Sequence, residues 1–262
     1  MEGARSSEDF TAARNAEYPR TALLVGGAHG VGRATALRLA AKGTSTVLVY
    51  RRNRDGAAQT VAEIEALGGT TSSVQADLAM EAGAIVTAAM ERMGRIDAIV
   101  CTATPIMSGR TLSVSRDDFL LAMDTQAWGL LDLVRAAADE LTLRRGVVIG
   151  CSSLGANLYA KYYGALGPAK AALETLVKYL AAELGPRQIR VNAVSPCLIN
   201  DPKHQTSEIS APHMEPARRR TPLRRLACPD DVAAVITALL GPEFAFVTGQ
   251  VIAVDGGYSL QA

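Results

Sequence analysis

The sequence predicts an α/β fold in which a single-domain, doubly wound parallel sheet of about seven strands carries helices on both faces. Short apolar runs alternate strictly with segments of helical period along the chain, and this alternation is typical of a parallel sheet. The length of 262 residues fits one large domain better than two. Apolar residues make up 48% of the chain, which is enough for a sizeable core.

Seven short apolar runs predict the strands, because strands that are buried on both faces read as continuous apolar sequence. These runs cover 21–25, 46–50, 71–76, 96–101, 146–151, 189–194 and 250–254. The amphipathic segments between them predict helices over 33–42, 54–67, 80–93, 116–143, 163–184 and 230–240.

Two regions carry neither pattern. Residues 1–19 are polar and predict a flexible N-terminal extension, so the domain itself is expected over 20–262. Residues 195–228 are rich in Pro, Arg and His and have no clear period. We predict that they form a substrate loop, because ligands of such sheets bind at the carboxyl ends of the strands.

Composition argues against several classes of partner. The net charge of +1 gives no reason to expect nucleic acid or a membrane surface, and no apolar run is long enough to span a membrane. The four cysteines are far apart and no secretory signal is present, so we predict free thiols and a cytoplasmic protein. The histidines show no metal-ligand spacing, and no metal is predicted.

A glycine-rich loop over 26–32 follows the first strand and opens the first helix. Small residues let the backbone approach a pyrophosphate, and the helix N-terminus favours its negative charge. The loop therefore predicts a dinucleotide site, with a simple strand–helix turn as the alternative. The predicted cofactor contacts in it are Gly26, Ala28, His29, Gly30, Val31 and Gly32.

The end of the second strand bears on the choice of dinucleotide. Tyr50, Arg51 and Arg52 stand where NAD would want an acidic residue for its ribose hydroxyls. Two guanidinium groups suit a 2′-phosphate instead. We therefore predict NADPH as the cofactor, against the alternative that both arginines are merely solvated.

The stretch 152–174 brings together hydroxyl, phenol and ammonium groups that could donate a proton to a substrate oxygen. A nearby ammonium is expected to lower the pKa of a phenol. Tyr163 stands seven residues before Lys170, about two helical turns away on nearly the same face, whereas Leu166 stands four before it. We favour Tyr163 as the donor; Tyr159, Tyr162 or no tyrosine are the alternatives.

These motifs resemble the short-chain dehydrogenase/reductase family over about residues 20–260. The glycine loop, Asp77-Leu78, Ser153, Lys170, the stretch 191–196 and the terminal 254–257 carry the resemblance. The spacing Tyr163-x6-Lys170 is similar to the enoyl-thioester reductase branch, and 163–174 looks most like the type III enoyl-acyl carrier protein reductases and the cyclohexenylcarbonyl-CoA reductases. The resemblance implies a Rossmann-type reductase that assembles as a dimer or tetramer.

The resemblance also implies roles for individual residues. Tyr163 would hydrogen-bond a thioester carbonyl and stabilise the enolate, Lys170 would hold the nicotinamide ribose, and Ser153 would orient the carbonyl. Asp124 stands for an Asn that holds a proton-relay water in the family. The remaining cofactor contacts implied are Asp77, Leu78, Thr102, Ala103, Pro196 and Ile199.

We therefore predict NADPH-dependent reduction of the carbon–carbon double bond of an α,β-unsaturated thioester, bound to CoA or a carrier protein, in a specialised biosynthetic pathway. The alternatives are a carbonyl reductase of β-ketoacyl type and a cofactor-binding member without redox turnover, such as a cyclase, an isomerase or a structural subunit. The basic cluster of Arg218, Arg219, Arg220, Arg224 and Arg225 is either a solvated face or an anchor for a phosphate or an acidic carrier protein.

Overall fold

The computed structural model describes residues 18–105, 107–202 and 210–260, and it confirms the predicted fold class. One parallel sheet has the strand order β3-β2-β1-β4-β5-β6-β7. Its strands are β1 Thr21–Val25, β2 Ser45–Tyr50, β3 Thr71–Gln75, β4 Ala98–Cys101, β5 Val147–Cys151, β6 Arg190–Pro196 and β7 Val251–Val254. The strand order reverses between β1 and β4, so the carboxyl ends of these two strands flank the crevice where such sheets bind ligands.

Helices cover both faces of the sheet. They are α1 Gly30–Ala40, α2 Arg54–Ala66, α3 Ala82–Met93, α4 Arg116–Met123, α5 Gly129–Ala136, α6 Ala138–Arg144, α7 Leu166–Leu184, α8 Ala211–Arg220 and α9 Pro229–Leu240. A π-helical segment, Asp124–Trp128, joins α4 to α5.

The core has two halves because successive strand side chains point to opposite faces. Leu23 belongs to the half that packs against α3, α5 and α7, with Leu133 and Val177 among its members. Leu24 belongs to the other half, against α1, α2 and α9. Each fully buried leucine contributes about 1.5–3 kcal/mol relative to an exposed one, so both layers of helices are firmly held to the sheet.

Two of the predicted helices differ from the structure in ways that bear on the site. The helix predicted over 116–143 is interrupted by the π-helical segment and again at Ala137, where α5 ends. The helix predicted from Tyr163 begins at Leu166. Pro168 therefore lies in its first turn, where a missing N–H costs no hydrogen bond.

Helix α8 was not predicted, and it lies within the loop expected over 195–228. Its sequence is strongly polar and only Ala217 is buried in it, so no apolar period marks it. Residues 203–209 of that loop lie outside the described residues, as does nearly all of the extension predicted over 1–19. None of the helices in the described ranges is both long and apolar enough to cross a membrane.

Candidate active site

The glycine loop between β1 and α1 is packed against the loop that follows β4. Gly26 has φ of +97°, and a Cβ there would lie 2.6 Å from Thr102 Oγ1 and 2.8 Å from Ala103 N. A Cβ on Gly32 would meet Gly26 O and lie 2.7 Å from Thr102 Oγ1. Thr102 Oγ1 in turn donates to Val25 O at 3.2 Å. Only glycine fits these positions, so the backbone is open to a ligand at the end of β1.

The N-terminus of α1 completes this cradle. His29 stands at the N-cap with an exposed side chain, and it makes no capping hydrogen bond to α1. Gly30 has φ of +53°, and its Cβ position lies 3.3 Å from Asp201 Oδ2, which brings the loop after β6 to the cradle. Ala28 is buried and Val31 is half-buried. An open backbone at a helix N-terminus fits a pyrophosphate, so the residues of this cradle suit a dinucleotide.

The second predicted contact region lies at the ends of β2 and β3. Arg51 Nη1 lies 3.4 Å from Asp77 Oδ2, and Arg51 O accepts from Gln75 Nε2 at 3.0 Å. Arg52 is exposed and Tyr50 is half-buried, while Leu78 is buried. A long, half-exposed ion pair contributes little to stability, so a phosphate can recruit Arg51 at small cost.

Tyr163 and Ser153 form the polar pair of the site. The Ser153 hydroxyl is close enough to the Tyr163 phenol to lower its pKa, and Ser153 Oγ accepts from Gly155 N at 3.2 Å. Burial raises the pKa of the Tyr163 phenol, and the interaction with Ser153 only partly offsets that effect. The predicted lowering of this pKa by the lysine is therefore wrong for this arrangement, and the phenol is protonated near neutral pH.

Lys170 forms its hydrogen bonds with other groups than this pair. It is 2% exposed, and its ammonium donates to Cys151 O at 2.6 Å and to Thr104 Oγ1 at 3.2 Å. Burial lowers its pKa, and the neighbouring thiols and Glu174 oppose that effect. Burial likewise raises the pKa of Cys101 to about 11, so this thiol stays neutral. The lysine is thus fixed at the ends of β4 and β5.

The other two tyrosines point elsewhere. Tyr159 is 89% exposed, and the ring centroid of Tyr162 lies 5.0 Å from Lys161 Nζ. Tyr162 has φ of +63°, an unfavourable conformation for a bulky residue. It is held there because its carbonyl accepts from Gly109 N at 2.9 Å. Of the three candidates, Tyr163 is the one that reaches Ser153.

The residue four before Lys170 offers no hydroxyl to the site. Leu166 is buried in a small apolar cluster with Ala122, Ala165 and Ala169. Tyr163 itself precedes α7 in an irregular segment, where it forms a parallel bridge to Gly109. The position of this tyrosine is therefore set by the loop after β4. It is not set by a helical spacing from Lys170, because Tyr163 lies outside α7.

The π-helical segment changes which residue faces the site. Asp124 is exposed, so the structure does not bring it to the predicted place. Gln126, two residues on, is 2% exposed and donates from Nε2 to Ala103 O at 2.9 Å. Gln126 was not among the predicted site residues. The signal that could have indicated it is a lone amide followed by a largely apolar helical stretch. A π-bulge shifts the helical register, and the sequence pattern does not predict one here.

The loop after β6 brings the last predicted contacts to the same edge of the sheet. Pro196 ends β6, and Ile199 forms a parallel bridge to Ala227. Within the described ranges, no three His, Cys, Asp or Glu side chains are grouped so as to hold a metal ion.

The basic cluster on α8 is largely engaged within the chain. Glu215 accepts from Arg218 at 2.7 Å and from Arg219 at 2.8 Å, and the Arg220 guanidinium lies 4.7 Å from the ring centroid of Tyr258. These contacts favour the solvated-face interpretation over a free phosphate anchor. Arg224 also bonds within the cluster, donating to Arg219 O at 2.8 Å.

Comparison with known proteins places the chain among reductases and dehydrogenases. Residues 26–259 match the family model described as enoyl-(acyl carrier protein) reductase. The chain is 33% identical to a 1-cyclohexenylcarbonyl-CoA reductase of Streptomyces collinus, over 95% of this chain and 90% of that protein. It is also 33% identical to a 3-oxoacyl-[acyl-carrier-protein] reductase of Synechocystis, over 91% and 96%.

A solved structure gives the same picture of the fold. A 7α-hydroxysteroid dehydrogenase complexed with NADH and 7-oxo glycochenodeoxycholic acid superposes with a TM-score of 0.87 at 27% identity, covering 94% of this chain and 96% of that one. The similar proteins therefore include enzymes named for enoyl, ketoacyl and hydroxyl chemistry.

Proposed function

Because the chain belongs to the short-chain dehydrogenase/reductase family, and is thus an oxidoreductase that uses a nicotinamide dinucleotide, we propose that it reduces the carbon–carbon double bond of an α,β-unsaturated thioester with NADPH. One observation carries the proposal. Tyr163, seven residues before Lys170, lies beside Ser153, whose hydroxyl acts on the pKa of the phenol, while the position four before Lys170 holds the buried, apolar Leu166. The acid therefore enters from the segment before α7.

The chain's own groups account for the binding of the cofactor. The backbone at Gly26, Gly30 and Gly32 would hold the pyrophosphate, and Arg51 would meet the 2′-phosphate. Lys170, fixed between β4 and β5, would hold the nicotinamide ribose. NADPH bound in this way would supply a hydride to the β-carbon of the substrate.

Tyr163 and Ser153 would act on the thioester oxygen. Burial raises the pKa of Tyr163, so the phenol is a hydrogen-bond donor at neutral pH and is ready for the negative charge that develops on that oxygen. A donor pre-organised in this way contributes about 10²–10³ in rate. A proton from solvent water, added to the α-carbon of the enolate, would then complete the addition of two hydrogens across the double bond.

A side-by-side assay tests the proposal. NADPH absorbance is followed with purified protein and either an enoyl-CoA or the β-ketoacyl-CoA of the same chain length. Oxidation with the enoyl substrate alone is expected. Oxidation with the keto substrate alone would transfer the function to carbonyl reduction, which the Ser153–Tyr163 pair could also support at a ketone oxygen. NADPH binding without turnover of either would favour the non-redox alternative.

The preference for NADPH has its own support. Arg51 and Arg52 are charged groups that directly follow β2, and the Arg51 guanidinium is paired with Asp77 over a long distance of 3.4 Å. We infer that Arg51→Ala weakens NADPH binding by about tenfold, the effect of one charge-assisted hydrogen bond, and leaves NADH binding unchanged. Equal losses for both cofactors would contradict this assignment.

The same family resemblance underlies our proposal of a homo-oligomer. Phe119, Trp128 and Tyr179 are large, exposed side chains on α4, the π-helical segment and α7, which pack on one another. Light scattering should give a dimer or tetramer that Trp128→Glu dissociates. The control Leu143→Glu alters an exposed leucine on α6 and should leave the assembly intact.

A further inference from the structure

A buried carboxylate behind the Ser153–Tyr163 pair has no part in the chemistry described so far. Glu174 lies on α7, one turn after Lys170, and is 7% exposed. Its Oε1 accepts from Ser152 Oγ at 2.6 Å, and its Oε2 accepts from Asn157 Nδ2 at 2.8 Å. Both carboxylate oxygens are therefore satisfied, as a buried charge requires.

The two donors lie at the ends of one short turn. Ser152 immediately precedes Ser153, and Asn157 immediately follows the 3₁₀ turn Leu154–Ala156. Ser153 opens that turn by accepting from the Gly155 amide. Glu174 thus holds residues 152–157, which we call the serine turn, at both ends against α7.

The serine turn also supports the ring of Tyr163. A Cβ on Gly155 would lie 2.6 Å from Tyr163 Cδ1, so the ring rests directly on the turn. A Cβ on Gly167 of α7 would lie 3.0 Å from Gly155 O, so the turn is also close to the helix. Any shift of the turn would move the Ser153 hydroxyl and the phenol together.

We propose that Glu174 is a positioning residue, whose carboxylate ties the serine turn to α7 and so fixes the Ser153 and Tyr163 hydroxyls relative to Lys170. The inference rests on the proposed function, because it concerns the same reaction site. A carboxylate suits the task because it accepts one hydrogen bond on each oxygen, whereas an amide accepts on one oxygen only.

Charge gives Glu174 a second effect on the site. Glu174 raises the pKa of Lys170, against the lowering caused by burial. The other titratable groups that act on the lysine are Cys101 on β4 and Cys151 on β5, whose own thiol pKa values are raised by burial. Those groups are neutral near pH 7, so Glu174 is the negatively charged neighbour that raises the pKa of the lysine against the effect of burial.

Two substitutions separate the tether from the charge. Glu174→Gln keeps the shape and can still accept from Asn157, but it removes the charge. The double variant Ser152→Ala/Asn157→Ala removes both hydrogen bonds and keeps the charge. Glu183→Gln is the matched control, since Glu183 lies on the same helix and is exposed.

Two readouts need no substrate. The chain has five lysines, so the Lys170 signal in a spectrum of ¹³C-labelled lysine can be assigned with Lys170→Arg and titrated. Hydrogen exchange of peptides covering 152–165 reports on the serine turn. Steady-state kcat and KM with NADPH and an enoyl-CoA form the third readout, and melting temperatures establish that each variant is folded.

We expect Glu174→Gln to lower the pKa of Lys170, so that the alkaline limb of the kcat profile moves to lower pH, while Glu183→Gln changes neither. The double variant should speed exchange of the serine turn and lower kcat by about tenfold, the effect of losing one or two buried hydrogen bonds, with the KM for NADPH unchanged.

Folded variants that match Glu183→Gln in the lysine titration and in exchange of the serine turn would overturn the inference. A tenfold rise in the KM for NADPH with kcat unchanged would also overturn it, because the carboxylate would then serve cofactor binding. A wild-type protein that does not reduce the enoyl-CoA would instead contradict the proposed function, and the titration and exchange results would still decide the role of Glu174.

Discussion

The two ends of the candidate active site are built in different ways. At the end formed by β1 and α1, the backbone makes the site: Gly26 and Gly32 are close to the loop after β4, and no side chain caps α1. At the end formed by residues 152–170, side chains make the site through long-range contacts. Ser152 Oγ and Asn157 Nδ2 reach Glu174, and Lys170 Nζ reaches Cys151 O.

This difference separates binding from chemistry. A site made by the backbone is blocked by any added side-chain atom, and it can bind every ligand that carries a pyrophosphate. Side-chain constellations tolerate repacking but lose their effect when a single hydroxyl or charge is removed. We therefore expect substitutions at the first end to abolish cofactor binding, and substitutions of Ser153 or Tyr163 at the second end to spare binding and remove turnover.

The largest effect is expected at Gly32. A Cβ there would meet Gly26 O and Thr102 Oγ1, so Gly32→Ala should abolish measurable NADPH binding and lower the melting temperature. Gly83 occupies a comparable early position in α3, and its Cβ would meet nothing within 4 Å. Fluorescence titration of both alanine variants measures the contrast. Normal NADPH binding by Gly32→Ala would break the backbone-cradle account.

The second effect concerns Tyr163. Tyr163→Phe should reduce kcat by about 10²–10³, because it removes one pre-organised donor, while the Kd of NADPH stays within about twofold. Tyr159→Phe alters an exposed phenol and should change neither quantity. Unchanged turnover in Tyr163→Phe together with a loss in Tyr159→Phe would move the donor to the exposed tyrosine.

The glycine loop and the surroundings of Tyr163 differ in how far the sequence predicts them. The glycine loop was predictable because local spacing and sterics determine its conformation, and the alternating runs predicted the strand positions for the same reason. The register of the 116–143 region was not predictable, because a π-bulge exposes Asp124 and buries Gln126. The helix boundary at Leu166 and the bonds of Lys170 depend on distant residues such as Gly109 and Cys151, which sequence spacing does not bring together.

The third effect tests that π-bulge. Gln126→Leu removes the donor to Ala103 O, whose carbonyl would be left without this bond at a cost of about 1–3 kcal/mol. The free energy of unfolding from urea titration should fall by that amount, and the KM for NADPH should rise because Ala103 lines the glycine loop. Asp124→Asn, at an exposed site, should behave as the wild type. The reverse pattern would restore Asp124 to the site.

The smallest effect is expected in the basic cluster. Arg219 is paired with Glu215, and Arg220 stacks on Tyr258, so Arg219→Ala/Arg220→Ala should change the KM of a CoA thioester by less than about threefold, within the range of exposed ion pairs. A short N-acetylcysteamine thioester is the control substrate. A tenfold rise in KM for the CoA thioester alone would restore the phosphate anchor.

The most direct test of the central claim follows the hydride itself. NADPH deuterated at its transferable hydrogen is supplied with an enoyl-CoA, and the product is analysed by NMR. Reduction assisted by Tyr163 predicts a saturated thioester with deuterium on the β-carbon, formed by the wild type and strongly diminished in Tyr163→Phe. Absence of deuterium from the enoyl product, together with deuterium on the carbinol carbon when a β-ketoacyl-CoA is supplied, would contradict the claim and identify a carbonyl reductase.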